Sequence, residues 1–403
     1  MGFAFILFLF IGFRLVDWLI SYLAPFFIPY LGFFPYKEIA AQYNLPYFLT
    51  ALANFDGAHY LLIAKNGYAQ YQQAFFPLYP LLIRWLSPFF LNNQLLTALV
   101  ISNASFLLGL FIFSKYLKLA INNQQSTIWV IIFFLIFPTS FFFGAVYTEG
   151  LFFFLLAGCL YFLKKERFYL AGIFAFFASL TKLIGLFLII FFILKLIRNC
   201  LPVGKAGKLE IRNFKLTLIT LSPILGLTLY SLYLWQTTGD PFFFLNSQWA
   251  FGAHRTSSLV FLPQVYFRYL KIFFTANWNF QYFISLFEFF TFNFVFFVVI
   301  LNLIQDLRTS FWGPRRYGGG LQNRFWTSQN DRIGLGLFSL INLMLPTLTG
   351  TLSSIPRYAL FSLSLFIYLS QIKNLLKKVA IATIFVILHI IMLGFFSQGY
   401  FVS

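Results

Sequence analysis

The sequence predicts an all-α, multi-spanning membrane protein, a single polytopic helical bundle over residues 1–403. Three observations predict it. Of 403 residues, 60% are hydrophobic and only 9% charged, against about half and about a quarter in ordinary soluble domains. Apolar runs near the ~20 residues that a lipid-spanning helix needs recur along the chain. They are continuous rather than alternating, which favours helices over a barrel. The basic residues gather in turns between the runs, where Lys and Arg mark the cytoplasmic side. The formal charge of +18 therefore reads as topology, and no nucleic-acid partner is expected. Cys159 and Cys200 lie in or beside apolar runs, and neither reads as a disulfide or metal ligand.

The elements follow in order. The first run, about 2–28, outlasts a signal-peptide core and lacks a basic leader, so it reads as a retained span. Residues 29–93 form a long first external loop. Its Pro-broken "FFPLYPLLIRWLSPFF" is expected at the membrane interface or re-entering it. Spans are expected at about 95–116, at about 127–146, and from "YTEG" back to "KKER" at Lys164–Arg167. Residues 168–198 suit a compact helical hairpin with its tip at "SLTKLIG". A span near 216–235 leads to a second external loop, 236–279. Another near 281–304 leads to a basic loop, 305–332, with Arg308, Arg315, Arg316, Arg324 and Arg332. That loop reads as a cytoplasmic anchor touching anionic headgroups. Three spans close the chain, near 333–349, 358–372 and 379–396. The total is roughly eleven, with the N-terminus inside, and no internal repeat stands out.

On this topology the outer acids are Glu38, Asp56, Glu149 and Asp240. The outer bases include Lys37, Lys65, Arg84, Lys182, Arg255, Arg268, Lys271 and Arg357, with His254 if protonated. Ionisable groups near lipid are costly, and they are usually paired or functional. Each has a bland alternative. Asp56 can cap a helix formed by "GAHYLLIAKNGY", with Gly67 as its stop. Glu149 can pair with a nearby base. Lys182 and Arg357 can snorkel to the interface. His59 shares a helical face with Asp56 and can simply pack there. Arg14 and Asp17, three residues apart in the first span, are expected to form a structural pair. No His, Cys or carboxylate spacing marks a metal site, and there is no P-loop or dinucleotide glycine pattern. No cofactor is expected.

An outward carboxylate, a few outward cations and an apolar groove suit sugar transfer from a polyprenyl- or dolichyl-phosphate donor. The carboxylate takes the proton of the attacking hydroxyl. Lys or Arg stabilises the departing phosphate without a metal.

The successive stretches "FDGAHYLLIAKNGY", "AFFPLYPLLIR", "YTEGLFFFL", "SLTKLIGLFL", "SIPRYALFSLSLF" and "QGYFVS" resemble, in order, the signatures of the PIG-V-like mannosyltransferases. The resemblance runs from residue 55 to the C-terminus. It implies the C-type glycosyltransferase architecture, a lipid-linked donor, most often of mannose, and an inverting transfer. It implies Asp56 as the catalytic base in the first external loop. By position it extends to substrate contacts at Tyr79, Arg84, Tyr147, Glu149, Lys182, Arg357 and Tyr358, with Pro77 and Pro80 in the same block as Tyr79; His59, on the face of Asp56, is read as a further substrate contact. Lys182 stands where the family more often shows Arg. Phe55 and Phe401 stand where it shows Trp, which bears on the shape of the sugar pocket. The acceptor stays open: a lipid, a glycan or a protein. The absence of large loop insertions favours a bacterial plasma membrane over the ER. A lipid-linked-sugar transporter or flippase, or a non-catalytic scaffold of a glycan-assembly complex, is the alternative. The transporter would favour midplane charges and repeated halves.

Overall fold

A computed structural model of the chain describes residues 2–32, 36–121, 123–200, 215–251, 259–312 and 322–402. The side chains of 36, 198–200 and 310–330 stand outside that description, as do His254 and Arg255. The described residues are helical or irregular, with no strand among them.

Five described helices are long and apolar enough to cross a membrane: Phe3–Phe27, Gln94–Ile121, Lys215–Thr238, Phe280–Thr309 and Leu375–Ser397. All five fall on expected spans. The first is built inside-out relative to a helix in water. Its buried stripe includes Arg14, Asp17, Ser21 and Ala24, while Phe8, Leu15, Leu19 and Phe26 are exposed. Where lipid is the solvent, apolar side chains face outward at no cost and polar ones turn to the bundle. The expected Arg14–Asp17 pair forms. The last helix adds His389, whose Nε2 lies 2.7 Å from Asp17 Oδ1.

Most of the other expected spans are shorter or broken, while the one near 333–349 lies in helix Gln322–Thr347. The run at 127–146 is helical only as Gln124–Leu135. Pro138 follows. Its ring bars continued helix and it has no N–H to donate. A 3-10 turn, Ser140–Phe143, then delivers the chain to helix Glu149–Lys164. The 168–198 run breaks where its tip was expected. Helix Phe168–Thr181 ends at Lys182, which is extended, and 3-10 turn Leu183–Leu188 leads into helix Ile189–Cys200. The 358–372 run is split into Ile355–Tyr358, Ala359–Phe361 and Leu363–Gln371. The described part of the 305–332 segment is helical, continuing Phe280–Trp312 and opening Gln322–Thr347. Arg315 and Arg316 lie outside the described residues, and the side chain of Arg324 is not described.

Helix Gln94–Ile121 packs along Glu149–Lys164, which packs along Phe168–Thr181, which in turn meets Ser222–Thr238. Phe3–Phe27 lies on Leu375–Ser397. The turns expected on one side also meet: Lys164 bonds Asp331, and Lys195 lies 3.0 Å from Glu166. The opposite set of turns builds the site.

Candidate active site

Helix Asp56–Asn66 presents the first carboxylate. It stops as expected at Gly67, where φ is +90° and the N–H reaches Ile63 O at 2.9 Å. Its start differs from expectation, because Asp56 is the first helical residue and Phe55 holds the cap position. Phe55 has φ +59° and ψ −118°, and Gly57 N–H donates to Asn54 O at 3.3 Å. These angles suit the first central position of a type II′ turn, where glycine is the usual residue. A bulky side chain held there costs on the order of 1–3 kcal/mol. The fold holds it through the ends of the chain. The Phe55 ring packs on Phe396 and Phe401, and Asn54 Nδ2 donates to Phe396 O at 2.9 Å. Phe396 and Phe401, near the C-terminus, thus lie behind "NFDG".

The 3-10 turn and its exit supply the next wall. Val146 N–H donates to Leu52 O at 3.0 Å, and Tyr147 OH donates to Asn54 O at 2.9 Å. A side chain at Gly57 would press on Val146 O at 3.2 Å, and one at Gly150 would meet Ser102 O and Phe143 O at 2.5 Å. These two glycines let the backbones close up and fix where Asp56 and Glu149 stand.

Four charged side chains from four distant segments then converge. Arg357 Nη1 donates to Asp56 Oδ2 at 2.6 Å. Arg357 Nε faces Glu149 Oε1 at 3.6 Å, an ionic contact too long for a hydrogen bond. Lys182 Nζ bonds the same Glu149 oxygen. The guanidinium lies 5.3 Å from the Tyr147 ring centre, and Lys182 Nζ lies 5.4 Å from that of Tyr358. Such placements let ring faces stabilise cations. Formal charges sum to zero. Asp56 is the most open member, with its side chain 25% exposed, against 1% for Glu149.

The remaining expected residues are placed variously. His59 stacks on Phe75, and its Nδ1 lies 3.4 Å from Gln72 Nε2. Burial pulls its pKa below the ordinary value, with Asp56 opposing. Tyr79 is fully buried, its hydroxyl 2.7 Å from Ser102 Oγ and donating to Ala98 O at 3.1 Å. Arg84 stands at the far end of the Asp56 helix and donates through Nε to Ala64 O at 2.7 Å. That end is about 15 Å from Asp56 along the axis. Glu38 is exposed, and Asp240 closes its own turn through Phe242 N–H at 2.8 Å. Tyr60 went unnoticed in the sequence. It follows Asp56 by four residues, on the same face. Burial first, then the charges of Asp56 and Glu149, push its pKa well above the ordinary range. No group of three or more His, Cys, Asp or Glu able to hold a metal occurs among the described residues.

The arrangement offers a half-open carboxylate beside two cations, buried Arg357 and partly buried Lys182, which is suited to accepting a proton next to a developing anion. A family model described as Mannosyltransferase (PIG-V) matches residues 35–201. The matched segment holds Asp56, Glu149 and Lys182 and ends before Arg357. Over that segment, less than half of the chain, the sequence is similar to the PIG-V mannosyltransferases. A comparison with curated proteins gave no match.

Proposed function

We infer that this chain, a multi-pass membrane glycosyltransferase that resembles the PIG-V mannosyltransferases over residues 35–201, moves mannose from a polyprenyl- or dolichyl-phosphate donor to an acceptor hydroxyl. Asp56 is the general base. The hydroxyl oxygen attacks the anomeric carbon and gives its proton to Asp56. The new carbon–oxygen bond forms as the bond to the phosphate oxygen breaks, and the polyprenyl phosphate leaves with the bonding pair. Attack opposite the leaving group inverts the anomeric centre. Arg357 and Lys182 stabilise the departing phosphate, since cationic donors are strongest where water is excluded. The shorter helices complete the bundle around the lipid tail, and the site faces the non-cytoplasmic side. The acceptor is a lipid, a glycan or a protein.

One observation carries this reading: the contact of Asp56 with Arg357 across 301 residues of chain, in a cluster with Glu149 and Lys182. The test is transfer of radiolabelled mannose from polyprenyl-phosphate-mannose in membranes holding wild type or Asp56→Asn, with insertion checked. Wild type should transfer, and Asp56→Asn should fall at least about a hundredfold, the usual lower worth of a general base. Equal transfer by both would remove Asp56 from the chemistry.

A further inference from the structure

Glu149 was expected among the substrate contacts. Its side chain is 1% exposed and stands behind both cations, taking Lys182 and Arg357 on one oxygen. It opens helix Glu149–Lys164, where the helix dipole attracts an acidic side chain. Gly150 locks that helix end against Ser102 and Phe143, so Glu149 has little freedom to swing toward a ligand. Yet it faces the guanidinium of Arg357, which bonds Asp56, and Arg357 Nε makes no hydrogen bond among the described residues.

We propose that Glu149 is a positioning residue that divides the cationic charge of the site, binding Lys182 and sharing Arg357 so that Asp56 keeps the basicity its role requires. The proposal rests on the reading of Asp56 as base. Without the Glu149 charge, two cations face one carboxylate. An opposite charge within a few ångströms makes a carboxylate harder to protonate, and a weaker base slows proton transfer. The anionic donor meets the contrary change, because its site is one unit more positive.

The test is Glu149→Gln in the full chain, in detergent or nanodiscs, with polyprenyl-phosphate-mannose as the probe and folded protein counted by gel filtration. The expected result is kcat lower by about tenfold or more, with the donor KM unchanged or lower. Glu149→Asp, which keeps the charge, should recover most of kcat. A raised donor KM would make Glu149 a substrate contact and overturn the proposal, and so would an unchanged kcat per folded molecule. If Glu149→Gln does not fold, Glu149→Asp decides: the shorter side chain keeps the charge, so kcat near wild type with an unchanged donor KM supports the proposal, and a higher KM or a roughly tenfold lower kcat overturns it. Asp56→Asn separates the two readings. Full turnover in that variant removes the base itself. Loss of turnover there, together with a raised KM in Glu149→Gln, removes only the positioning role.

Discussion

Replacing Arg357 with Gln would remove the cation shared by two carboxylates while keeping a polar side chain. At an effective dielectric of about 20, the 2.6 Å contact with Asp56 represents about 6 kcal/mol of attraction, and the 3.6 Å contact with Glu149 about 5 kcal/mol. These gross figures are offset by the desolvation of the buried guanidinium. Solvent reaches Asp56, which weakens the first further. Removing one partner of a buried ion pair costs about 3–5 kcal/mol, chiefly because a buried charge is left behind. Arg357→Gln should therefore lose about 3 kcal/mol of stability, and the double variant with Asp56→Asn should lose less than the sum of the two single changes. A double-mutant cycle of chemical unfolding in detergent reads this directly. A coupling of at least about 1 kcal/mol is expected, since contacting charges couple by roughly 0.5–3 kcal/mol. Additivity within about 0.5 kcal/mol would refute the ion pair as an energetic link between these segments.

Other consequences are equally direct. Asp17→Ala should lower the yield of folded protein sharply, because it strands buried Arg14 beside His389, at a cost of about 3–5 kcal/mol; turnover per folded molecule should hold. Gly150→Ala should lower the thermal midpoint, since its Cβ would meet two backbone oxygens at 2.5 Å and overpacking costs about 1–3 kcal/mol. Arg84→Ala should reduce stability by about 1 kcal/mol through its lost bonds to the helix end and leave the donor KM unchanged, a result that steady-state kinetics can overturn. His59 has a folded pKa below its unfolded value, so the unfolded chain binds the extra proton first. Its contribution to stability is present at neutral pH and is lost as pH falls below about 6.5. Thermal unfolding against pH should show a slope there that His59→Gln reduces.

The five long helices were legible because a lipid-spanning run is set by length and apolarity alone. The breaks at 136–148 and at 359–362 were not, since runs such as "IIFFLIF" and "ALFSLSLF" look the same whether they cross lipid or line a protein interior. Pro138 was the visible signal for the first. In the site, Asp56, Glu149, Lys182 and Arg357 stood out as costly charges near lipid. Their mutual pairing, however, depends on packing between segments up to 301 residues apart. The family resemblance implied that Tyr79 and Arg84 contact substrate alongside Asp56. Burial then turned Tyr79 toward Ser102, and a free helix end drew Arg84 away. His389 and Tyr60 were missed for opposite reasons: one is paired only in space, and the other only needed the four-residue spacing to be noticed.

The pairing also explains how such a site survives beside lipid. An isolated buried charge is expensive, whereas two carboxylates sharing two cations leave no net charge to solvate. The most exposed of the four is Asp56, so an incoming group meets the carboxylate before it meets the buried cations. An arriving phosphate changes that balance by adding negative charge to a neutral set. Any pull it exerts on Arg357 loosens the 2.6 Å bond to Asp56, and a carboxylate freed from its cation becomes the stronger base. If Asp56 is the base, as proposed, binding of a phosphate donor beside Arg357 would by this route prepare Asp56 for the hydroxyl proton.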